Sequence, residues 1–546
     1  MINLKKFLLV FFLICTFFLS SCGNKTTKHN VVFHEFFDST CSSFGNREYY
    51  ECLDCHKYYS DNHETEISGV PIIEMKEHTL RKIDNNVGHF YSSACTCGYK
   101  ECINTVPIVN INTLNGQKII GNKDSSEYYK STVSVSNCEE EYILNDIPAE
   151  VKVRGNYTAN YDKKPYRIKF EDKQQMLGLN NDLKAKSWVL LAEYKDRSLL
   201  RNMTAFTLGN EILDEYTSDF RYVEVYVNDT YCGLYLLCEQ QQVNKGRVNI
   251  NEAKKDYEGI DIGYFVELDS YYLEEKEMER FEMDYHSLLF KDGTNCSNER
   301  FVKGYTIKSD IYSYEQRDFI QKTMNNIFEI AYSAVYTNLP FKTLDENNNI
   351  IDDETIKSPQ EAINRVIDIE SLVNVFILNE ICLDMDLGWS SFFMYYDMLG
   401  NKKLTFTAPW DFDSALGYAV GETDILLSSY QYNSSICRSN TPKAYSNPWL
   451  LLFVNEEWFN NKVNNRWEEV KNTKEIVLEN ISFICNNYQT QIDKNYTKWP
   501  ECNIFTEYLG CPSFENCTNH NDSTQYLKTY IINRFKYLDS VFQSNK

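Results

Sequence analysis

The chain carries little positive charge for its size. Its 546 residues include 55 lysines and arginines against 78 aspartates and glutamates, which gives a formal net charge of -23. Nucleic acid is excluded as a natural partner, because its phosphates require a basic protein face. Wherever this protein handles phosphate, it needs cations or basic groups to balance the charge. An apolar content of 43% with 14% aromatic residues is typical of a globular protein and not of a disordered one.

Long apolar runs are also scarce. One run, Phe7–Leu19, follows Lys5 and Lys6 at the N-terminus. It is too short for a good membrane span and is typical of an export signal. No later segment is long and apolar enough to cross a bilayer, and the main part of the chain contains no internal repeat or low-complexity run. The length is sufficient for a large core and more than one domain.

The apolar run ends in Leu19-Ser20-Ser21-Cys22, which resembles the lipobox of bacterial lipoproteins, where the cysteine becomes the lipidated first residue after cleavage. A plain cleaved signal is the alternative. The lipobox interpretation makes residues 1–22 the signal segment, Cys22 the anchor and residues 23–30 a polar leash. We therefore expect an exported protein that is held by lipid at the cell membrane or cell surface.

Cysteine is abundant, with 18 residues in the chain, and six of them fall between residues 41 and 102. Residues 31–105 therefore form a candidate Cys/His-rich module. Its first group has the composition of a zinc site with a Cys-x-x-Cys knuckle: His34, Cys41, Cys52 and Cys55. A second group follows: His78, His89, Cys95, Cys97 and Cys102. A disulfide-stapled module is the alternative, because exported proteins favour disulfides and an even number of cysteines remains without Cys15 and Cys22.

Strand patterns begin after the module, in residues 106–240. Short apolar runs at 108–111 and 119–120 and period-two alternation in 149–154 and 163–170 predict strands. Basic residues on these strands are candidate phosphate-binding groups: Arg154, Lys164 and Lys169. A solvated basic strand face is the alternative.

The next segment predicts a strand at 188–192, a helix that begins at Asp196, and a hairpin of strands 222–227 and 233–237 that leads to Glu239. This is the order of elements in the small lobe of a protein kinase as it enters the hinge. Order alone is an analogy and does not fix a function.

Two acidic loops carry the strongest chemical signal. Asp384 and Asp386 follow an apolar helix at 369–383, and Asp411 and Asp413 follow a hairpin that turns at Gly400-Asn401. An antiparallel hairpin brings the start of its first strand beside the end of its second, so we expect the four carboxylates to meet. Such a group suits Mg²⁺, and kinases use the same parts. Two solvated hairpin ends are the alternative.

Competing hydrolase chemistry lacks the residues it needs. Residues 148–420 contain a single histidine, His286, which belongs to no recognisable Ser-His-Asp pattern. A glycosidase remains possible in principle, because acidic pairs beside aromatic side chains also suit sugars.

Five motifs, in order along residues 148–420, carry a family resemblance: Val153-Arg-Gly-Asn, Lys164-Pro-Tyr-Arg-Ile-Lys-Phe, Asp196-Arg-Ser-Leu-Leu-Arg-Asn, Tyr226-Val-Asn-Asp-Thr-Tyr-Cys-Gly-Leu-Tyr, and Pro409-Trp-Asp-Phe-Asp. Together they resemble the spore-coat CotH family, which is similar to atypical secretory protein kinases. The resemblance implies an α+β, two-lobed atypical protein-kinase-like fold, with a small lobe in 106–240 and a large lobe with C-terminal helices in 241–546. It also implies ATP and Mg²⁺, or Mn²⁺, as cofactors.

The resemblance also implies residue roles. Asp386 matches the catalytic aspartate, with Asp384 as the runner-up, and Asp411 matches the metal-binding aspartate, with Asp413 beside it. Ser391 stands where the family commonly has a metal-binding Asn. The basic residues Lys164 and Lys169 compete for the phosphate, and Arg154 and Arg201 bind phosphate or pair with acids. Glu239 either meets the nucleotide at the hinge or forms a structural salt bridge.

The sequence thus predicts a kinase that transfers the ATP γ-phosphate to Ser or Thr of an extracytoplasmic protein. The alternative is a catalytically silent surface adhesion protein that keeps the fold for binding. Ser391 and the tethered module favour that alternative, whereas the retained acidic residues favour the enzyme.

Overall fold

The computed structural model describes residues 30–61, 65–83, 87–122, 126–291, 293–337, 339–384, 386–417, 445–503 and 517–543. The export signal and Cys22 lie outside these residues. The described chain divides into two compact units, one made of the residues up to Ile83 with Tyr91–Cys102, and the other of the remaining residues. Among the described helices, none has the length and apolar character needed to cross a membrane.

The described residues of the first unit form nine short strands: β1 (Val31–His34), β2 (Gly45–Asn46), β3 (Tyr49–Cys52), β4 (Tyr58–Tyr59), β5 (Glu66–Ile67), β6 (Ile72–Ile73), β7 (Arg81–Lys82), β8 (Tyr91–Ala94) and β9 (Lys100–Cys102). They form the sheets β1-β3-β4-β5 and β7-β8-β9 and the pair β2-β6. In the described part of this unit, only Tyr49, Cys52 and Cys95 are buried hydrophobic residues. The unit therefore has very little apolar core.

The structure does not bring together the predicted zinc group His34, Cys41, Cys52 and Cys55. Pairing of β1 with β3 sets His34 opposite Tyr49, on which its ring stacks at 4.4 Å, and His34 Nε2 lies 3.0 Å from Glu51 Oε2. Cys41 lies instead with residues of the second predicted group. His89 leaves that group, because it belongs to the other unit and contacts Asp219 at 3.0 Å.

The second unit begins with a seven-stranded closed barrel of order β10-β11-β12-β13-β14-β16-β15. Its strands are β10 (Ile108–Thr113), β11 (Tyr129–Ser136), β12 (Leu144–Val153), β13 (Tyr166–Gln174), β14 (Ala185–Leu191), β15 (Phe220–Val227) and β16 (Thr230–Glu239). Alternate side chains fill the interior, among them Val133, Val151, Ile168 and Trp188. Residues 119–120 form no strand: Ile119 is buried and Ile120 is 59% exposed, but the only described pairing next to them is an isolated bridge between Gly121 and Ser126.

The short helical turn α1 (Leu179–Asp182) lies between β13 and β14, and the helix α2 (Arg201–Ile212) lies between β14 and β15. The sequence placed the start of this helix at Asp196, and the structure places it five residues later. The reason is that the Asp196 carboxylate accepts the backbone N–H groups of Ser198, Leu200 and Arg201 at 2.8 to 2.9 Å. Asp196 therefore holds the approach to the helix in a tight turn and does not enter it.

The rest of the unit combines a second sheet with helices, so the protein is α+β. The sheet has the order β18-β21-β17-β24-β25 and contains β17 (Gly263–Leu268), β18 (Arg280–Glu282), β21 (Gly304–Ile307), β24 (Phe392–Asp397) and β25 (Thr405–Thr407). Two small hairpins are β19 (Leu288–Leu289) with β20 (Asn295–Cys296), and β22 (Lys342–Leu344) with β23 (Ile350–Asp352). The helices are α3 (Tyr314–Tyr336), α4 (Pro359–Val366), α5 (Ile369–Cys382), α6 (Pro448–Leu451), α7 (Glu457–Val470), α8 (Thr473–Asn487), α9 (Gln489–Lys498) and α10 (His520–Val541).

Two predicted elements that carry the acidic loops are confirmed. Helix α5 is buried on nearly every side, as its apolar sequence indicates. Strands β24 and β25 form the antiparallel hairpin, with Phe393 opposite Thr407.

Candidate active site

Helix α5 and the β24–β25 hairpin bring the two acidic loops to one place. Leu383 ends α5 in a left-handed conformation, and Asp384 and Asp386 follow directly. The second loop returns to the same helix end, where the Leu416 N–H donates to the Cys382 carbonyl at 2.6 Å. Its Asp411 also has a left-handed backbone, with φ of 69°. The antiparallel hairpin therefore places both loops together as the sequence predicted.

The negative charges of the two loops lie close enough to change the acidity of Asp384 and Asp411. Burial raises the pKa of Asp384 well above its ordinary value, and the negative charges of Asp386, Asp411 and Asp413 add to the rise. Burial, followed by the charges of Asp413 and Asp386, raises the pKa of Asp411 to about 7. Within the described residues, no three of these groups have their oxygens all within 4.8 Å of one another. A hard cation held here would therefore keep room for ligand oxygens in its shell.

Asp411 and Asp413 line a cleft that cationic side chains also line. The Lys195 ammonium donates to Asp413 Oδ1 at 3.3 Å and to Ser414 Oγ at 2.5 Å. The Arg154 guanidinium lies over the Trp410 ring, 5.4 Å from its centroid. Lys163 is fully buried, donates to the Leu234 carbonyl at 2.6 Å, and has its pKa lowered to about 8 by burial. The cleft thus offers both signs of charge, as the binding of a metal with a phosphate requires.

Two predicted phosphate-binding lysines lie outside this cleft. The Lys164 ammonium donates to the Ala159 carbonyl at 2.9 Å. Lys169 is exposed on β13 and lies over the Tyr128 ring at 5.6 Å. Lys163 and Lys195 line the cleft in their place. Lys169 alternates with the buried residues Ile168 and Phe170 and so faces outward, whereas Lys164 precedes Pro165 and the strand, where alternation does not determine which lysine points inward.

Asn202 connects the second acidic loop to the barrel side of the cleft. Its Nδ2 donates to both Glu193 oxygens, at 3.1 and 3.2 Å, while its Oδ1 accepts the Phe412 N–H at 2.9 Å. Burial and the charges of Asp196 and Asp413 raise the pKa of Glu193 well above its ordinary value. The sequence analysis did not single out Glu193, Lys195 or Asn202. A run of charged residues between a buried strand and a buried helix, at 193–197, is the signal that points to them.

Arg201 and Glu239 are both occupied in buried ion pairs. Arg201 pairs with Asp196, and its Nε donates to the Ala415 carbonyl at 3.0 Å, which ties the second acidic loop to the start of α2. Glu239 accepts Arg247 Nε at 2.9 Å and Asn180 Nδ2 at 3.1 Å, and the residue is 0% exposed. No oxygen of Glu239 is accessible to a nucleotide. The structure thus favours the salt-bridge alternative for this residue.

Ser391 lies at the start of β24 with a left-handed backbone, φ 61°. Its N–H donates to Glu267 Oε1 at 3.2 Å, and Glu267 pairs with Lys308 at 2.7 Å. The position follows directly on the turn that Asp386 begins, where the Asp386 carbonyl accepts the N–H groups of Trp389 and Ser390. Ser391 is therefore held close to the first acidic loop through its backbone.

The profile of the family described as CotH kinase protein matches residues 151–538, which include the barrel strands from β13 onward, both acidic loops and most of α10. Comparison with curated proteins gives no match. The match covers well over half of the chain, and the chain therefore belongs to the CotH kinase family.

Proposed function

We propose that the protein is a CotH-like kinase that transfers the γ-phosphate of ATP to a Ser or Thr hydroxyl of an extracytoplasmic protein. One observation supports this most strongly: carboxylates from two loops interact electrostatically, and those of the second loop, Asp411 and Asp413, line a cleft that also contains Arg154, Lys163 and Lys195. Phosphoryl transfer depends mainly on positioning and on charge stabilisation, and this donor set supplies both. In this proposal, the barrel and the helical region act as the two lobes of a kinase-like fold.

The donor chemistry at the site fits Mg²⁺ or Mn²⁺. Carboxylate oxygens are the ligands that such cations prefer, and one or two of them with phosphate oxygens complete a shell. We assign Asp411 and Asp413 as metal ligands and Asp386 as the group that accepts the proton of the acceptor hydroxyl. The cation would neutralise charge on the phosphates. Lys195 and Arg154 would hold phosphate oxygens, and Asp384 would position Asp386, whose N–H already donates to Asp384 Oδ1 at 3.2 Å.

The cleft must widen when a nucleotide enters. Its described residues enclose only about 30 Å³, whereas small-molecule sites usually span about 300 to 1,000 Å³. We therefore propose that ATP binding is coupled to a movement of the barrel wall, which contributes Lys163 and Glu193, relative to the Asp411 loop. Movements that open a site to the substrate and then close on it are common among phosphoryl-transfer enzymes.

The test compares two isosteric variants, Asp411→Asn and Asp386→Asn. The first removes a metal ligand, so metal-dependent nucleotide binding should weaken together with turnover. The second removes a proton acceptor, so nucleotide binding should persist while phosphoryl transfer falls by 100-fold or more, on the order of general-base losses. Binding is measured by calorimetry with Mg²⁺ or Mn²⁺, and transfer by autophosphorylation with labelled ATP. Asp318→Asn, on the exposed face of α3, is the matched control.

Equal nucleotide binding by both variants would show that the roles are assigned wrongly. Absence of nucleotide binding by the wild type under any divalent ion would favour the silent adhesion protein. Ser391→Asn adds an independent readout, because Asn adopts the left-handed backbone of this position readily. We expect it to raise activity or to change the preferred cation.

We also propose that the protein acts outside the cytosol as a lipid-anchored protein at the cell membrane or cell surface. The support is the sequence of residues 1–22, with its apolar run and Leu-Ser-Ser-Cys ending. A protein substrate at the same surface would meet the kinase without diffusing far from the membrane.

A further inference from the structure

The first unit contains a cluster of four metal-ligating side chains that crosses the two groups predicted from the sequence. Cys41, His78, Cys95 and Cys97 each offer one ligand atom, and these atoms all lie within 4.8 Å of one another. It is the only such group found among the described residues. Three thiols and one imidazole form a Cys₃His donor set, which is typical of closed structural zinc sites.

The spacing of the ligand atoms matches a tetrahedral zinc ion. Zinc–sulfur bonds of about 2.3 Å at the tetrahedral angle place two sulfurs about 3.8 Å apart. Cys41 Sγ and Cys95 Sγ are 3.7 Å apart. The same geometry with a zinc–nitrogen bond of about 2.05 Å places sulfur and nitrogen about 3.6 Å apart. Cys97 Sγ and His78 Nδ1 are 3.3 Å apart. A disulfide requires about 2.05 Å between sulfurs, and three thiols cannot all pair with one another.

The local backbone and one aromatic neighbour position these ligands. Cys95 and Cys97 lie on the turn between β8 and β9, where the Gly98 N–H donates to the Cys95 carbonyl at 2.9 Å. Gly98 has φ of +95°, a conformation that other residues rarely adopt, so the sequence Cys-Thr-Cys-Gly suits this tight knuckle. The His78 ring stacks on Tyr99 at 4.1 Å with planes 3° apart, which fixes its orientation.

The unit also needs a cross-link. Its strands are two to four residues long, and the described part contains only three buried hydrophobic residues. A unit of this size cannot obtain enough stability from such a core and usually depends on a metal or on disulfides. The cluster joins the loop at Cys41, the segment at His78 and the β8–β9 turn, which are far apart in the chain.

We propose that Cys41, His78, Cys95 and Cys97 bind one structural Zn²⁺ ion that holds the first unit folded. His78 coordinates through Nδ1, and the three cysteines coordinate as thiolates after their protons leave to solvent. The site is closed by four protein ligands, so it has no position for a substrate. It is independent of the proposed kinase chemistry, whose groups all lie in the second unit.

The test measures zinc per chain by mass spectrometry in the full chain and its variants, purified without chelator. Cys97→Ser and His78→Ala should each contain one zinc equivalent less than the wild type. His78→Cys supplies a fourth thiolate and should retain the zinc, and so should the matched control Cys102→Ser, whose exposed thiol lies outside the cluster. After chelator treatment, limited proteolysis should cut the wild type several-fold faster within residues 30–102 than before.

Two results would overturn the proposal. One is equal zinc content in the wild type, Cys97→Ser and His78→Ala. The other is a wild-type chain in which peptide mapping finds Cys41 and Cys95 oxidised to a disulfide. Retention of zinc by His78→Cys together with its loss from His78→Ala separates a ligand role from a merely structural role of the His78 ring.

Discussion

Substitution of Asn202 tests the link between the second acidic loop and the rest of the cleft. The side chain is 4% exposed and uses its amide in both directions, donating to Glu193 and accepting from the Phe412 N–H. Asn202→Leu keeps the size and removes both interactions. An orphaned buried N–H costs about 1 to 3 kcal/mol, and the loss of the bond to Glu193 adds about 1 kcal/mol. We therefore expect a decrease of about 2 to 4 kcal/mol in the free energy of unfolding.

Asn202→Asp separates the two interactions through pH. The introduced carboxylate still accepts the Phe412 N–H, but it faces Glu193 at about 3 Å, where two carboxyl groups cannot both be ionised. Because burial already raises the pKa of Glu193, the pair holds one proton as in the wild type, and the introduced carboxyl, buried at the same place, takes up a further proton that the unfolded chain releases above its carboxyl pKa of about 4. Stability falls as pH rises wherever the native state binds more protons than the unfolded state. The free energy of unfolding of Asn202→Asp should therefore approach that of the wild type as pH falls from 7 to 5, by at most about 1.4 kcal/mol per pH unit.

Urea denaturation followed by fluorescence at pH 5, 6 and 7 measures both effects. The deficit of Asn202→Leu should change little with pH, because burial already holds the pKa of Glu193 well above its ordinary value. Asn210→Leu is the matched control on the same helix, since its side chain donates to the Phe206 and Ser218 carbonyls and does not contact the acidic loop. Parallel pH profiles for the Asp and Leu variants would refute the proposed network, and so would a Leu variant as stable as the wild type.

Three further predictions concern single groups. In urea denaturation at pH 7, Lys163→Met should have a larger free energy of unfolding than the wild type. This gain should shrink by about 1 to 3 kcal/mol between pH 8 and 10, because a lysine with a folded-state pKa of about 8 binds fewer protons than the unfolded chain in that window. A gain that stays constant with pH would contradict this. Glu239→Leu removes the ion-pair partner of the buried Arg247, so denaturation should show that the free energy of unfolding falls by about 3 to 5 kcal/mol. Calorimetry on the folded protein should show unchanged nucleotide affinity. Weakened affinity would indicate that Glu239 contacts the nucleotide at the hinge. Cys22→Ser should release the protein from membranes or stall its processing, as measured by detergent phase partition, and unchanged partition would contradict lipid anchoring.

Local patterns in the sequence predicted the elements that carry the site. Helix α5 is almost continuously apolar, and its predicted bounds of 369–383 differ from the observed Ile369–Cys382 by one residue. The β24–β25 hairpin follows from two apolar runs separated by a polar turn. Such signals depend on neighbours in the chain, so a single sequence is enough to find them.

Contacts between distant segments could not be predicted in the same way. Lys195 contacts Asp413, which lies 218 residues later in the chain, and no local sequence pattern near either residue predicts this contact. The set of ligands that meet in the first unit could not be predicted for the same reason. Cys52-Leu-Asp-Cys55 has the local form of a zinc knuckle, but the fold brings Cys41 to Cys95, 54 residues away. Composition predicted the kinds of ligand, and the path of the chain determined which of them meet.

The C-terminal helix α10 shows how far the site's support extends along the chain. A helix leaves its last carbonyls without partners inside the helix, and a buried helix end must satisfy them from elsewhere. At the end of α5, Arg534 Nε donates to the Glu380 carbonyl at 2.7 Å and the Tyr530 hydroxyl donates to the Ile381 carbonyl at 3.0 Å. Leu416, from the second acidic loop, donates to the Cys382 carbonyl.

Because of these bonds, one helix end fixes both acidic loops: Asp384 and Asp386 continue from it, and the loop of Asp411 and Asp413 caps it. The motifs that carry the sequence resemblance lie within residues 148–420. The family match extends to residue 538 and therefore includes Tyr530 and Arg534. Helix α10 thus belongs to the structural base of the candidate active site, and its side chains act there by satisfying the carbonyls from which the acidic loops start.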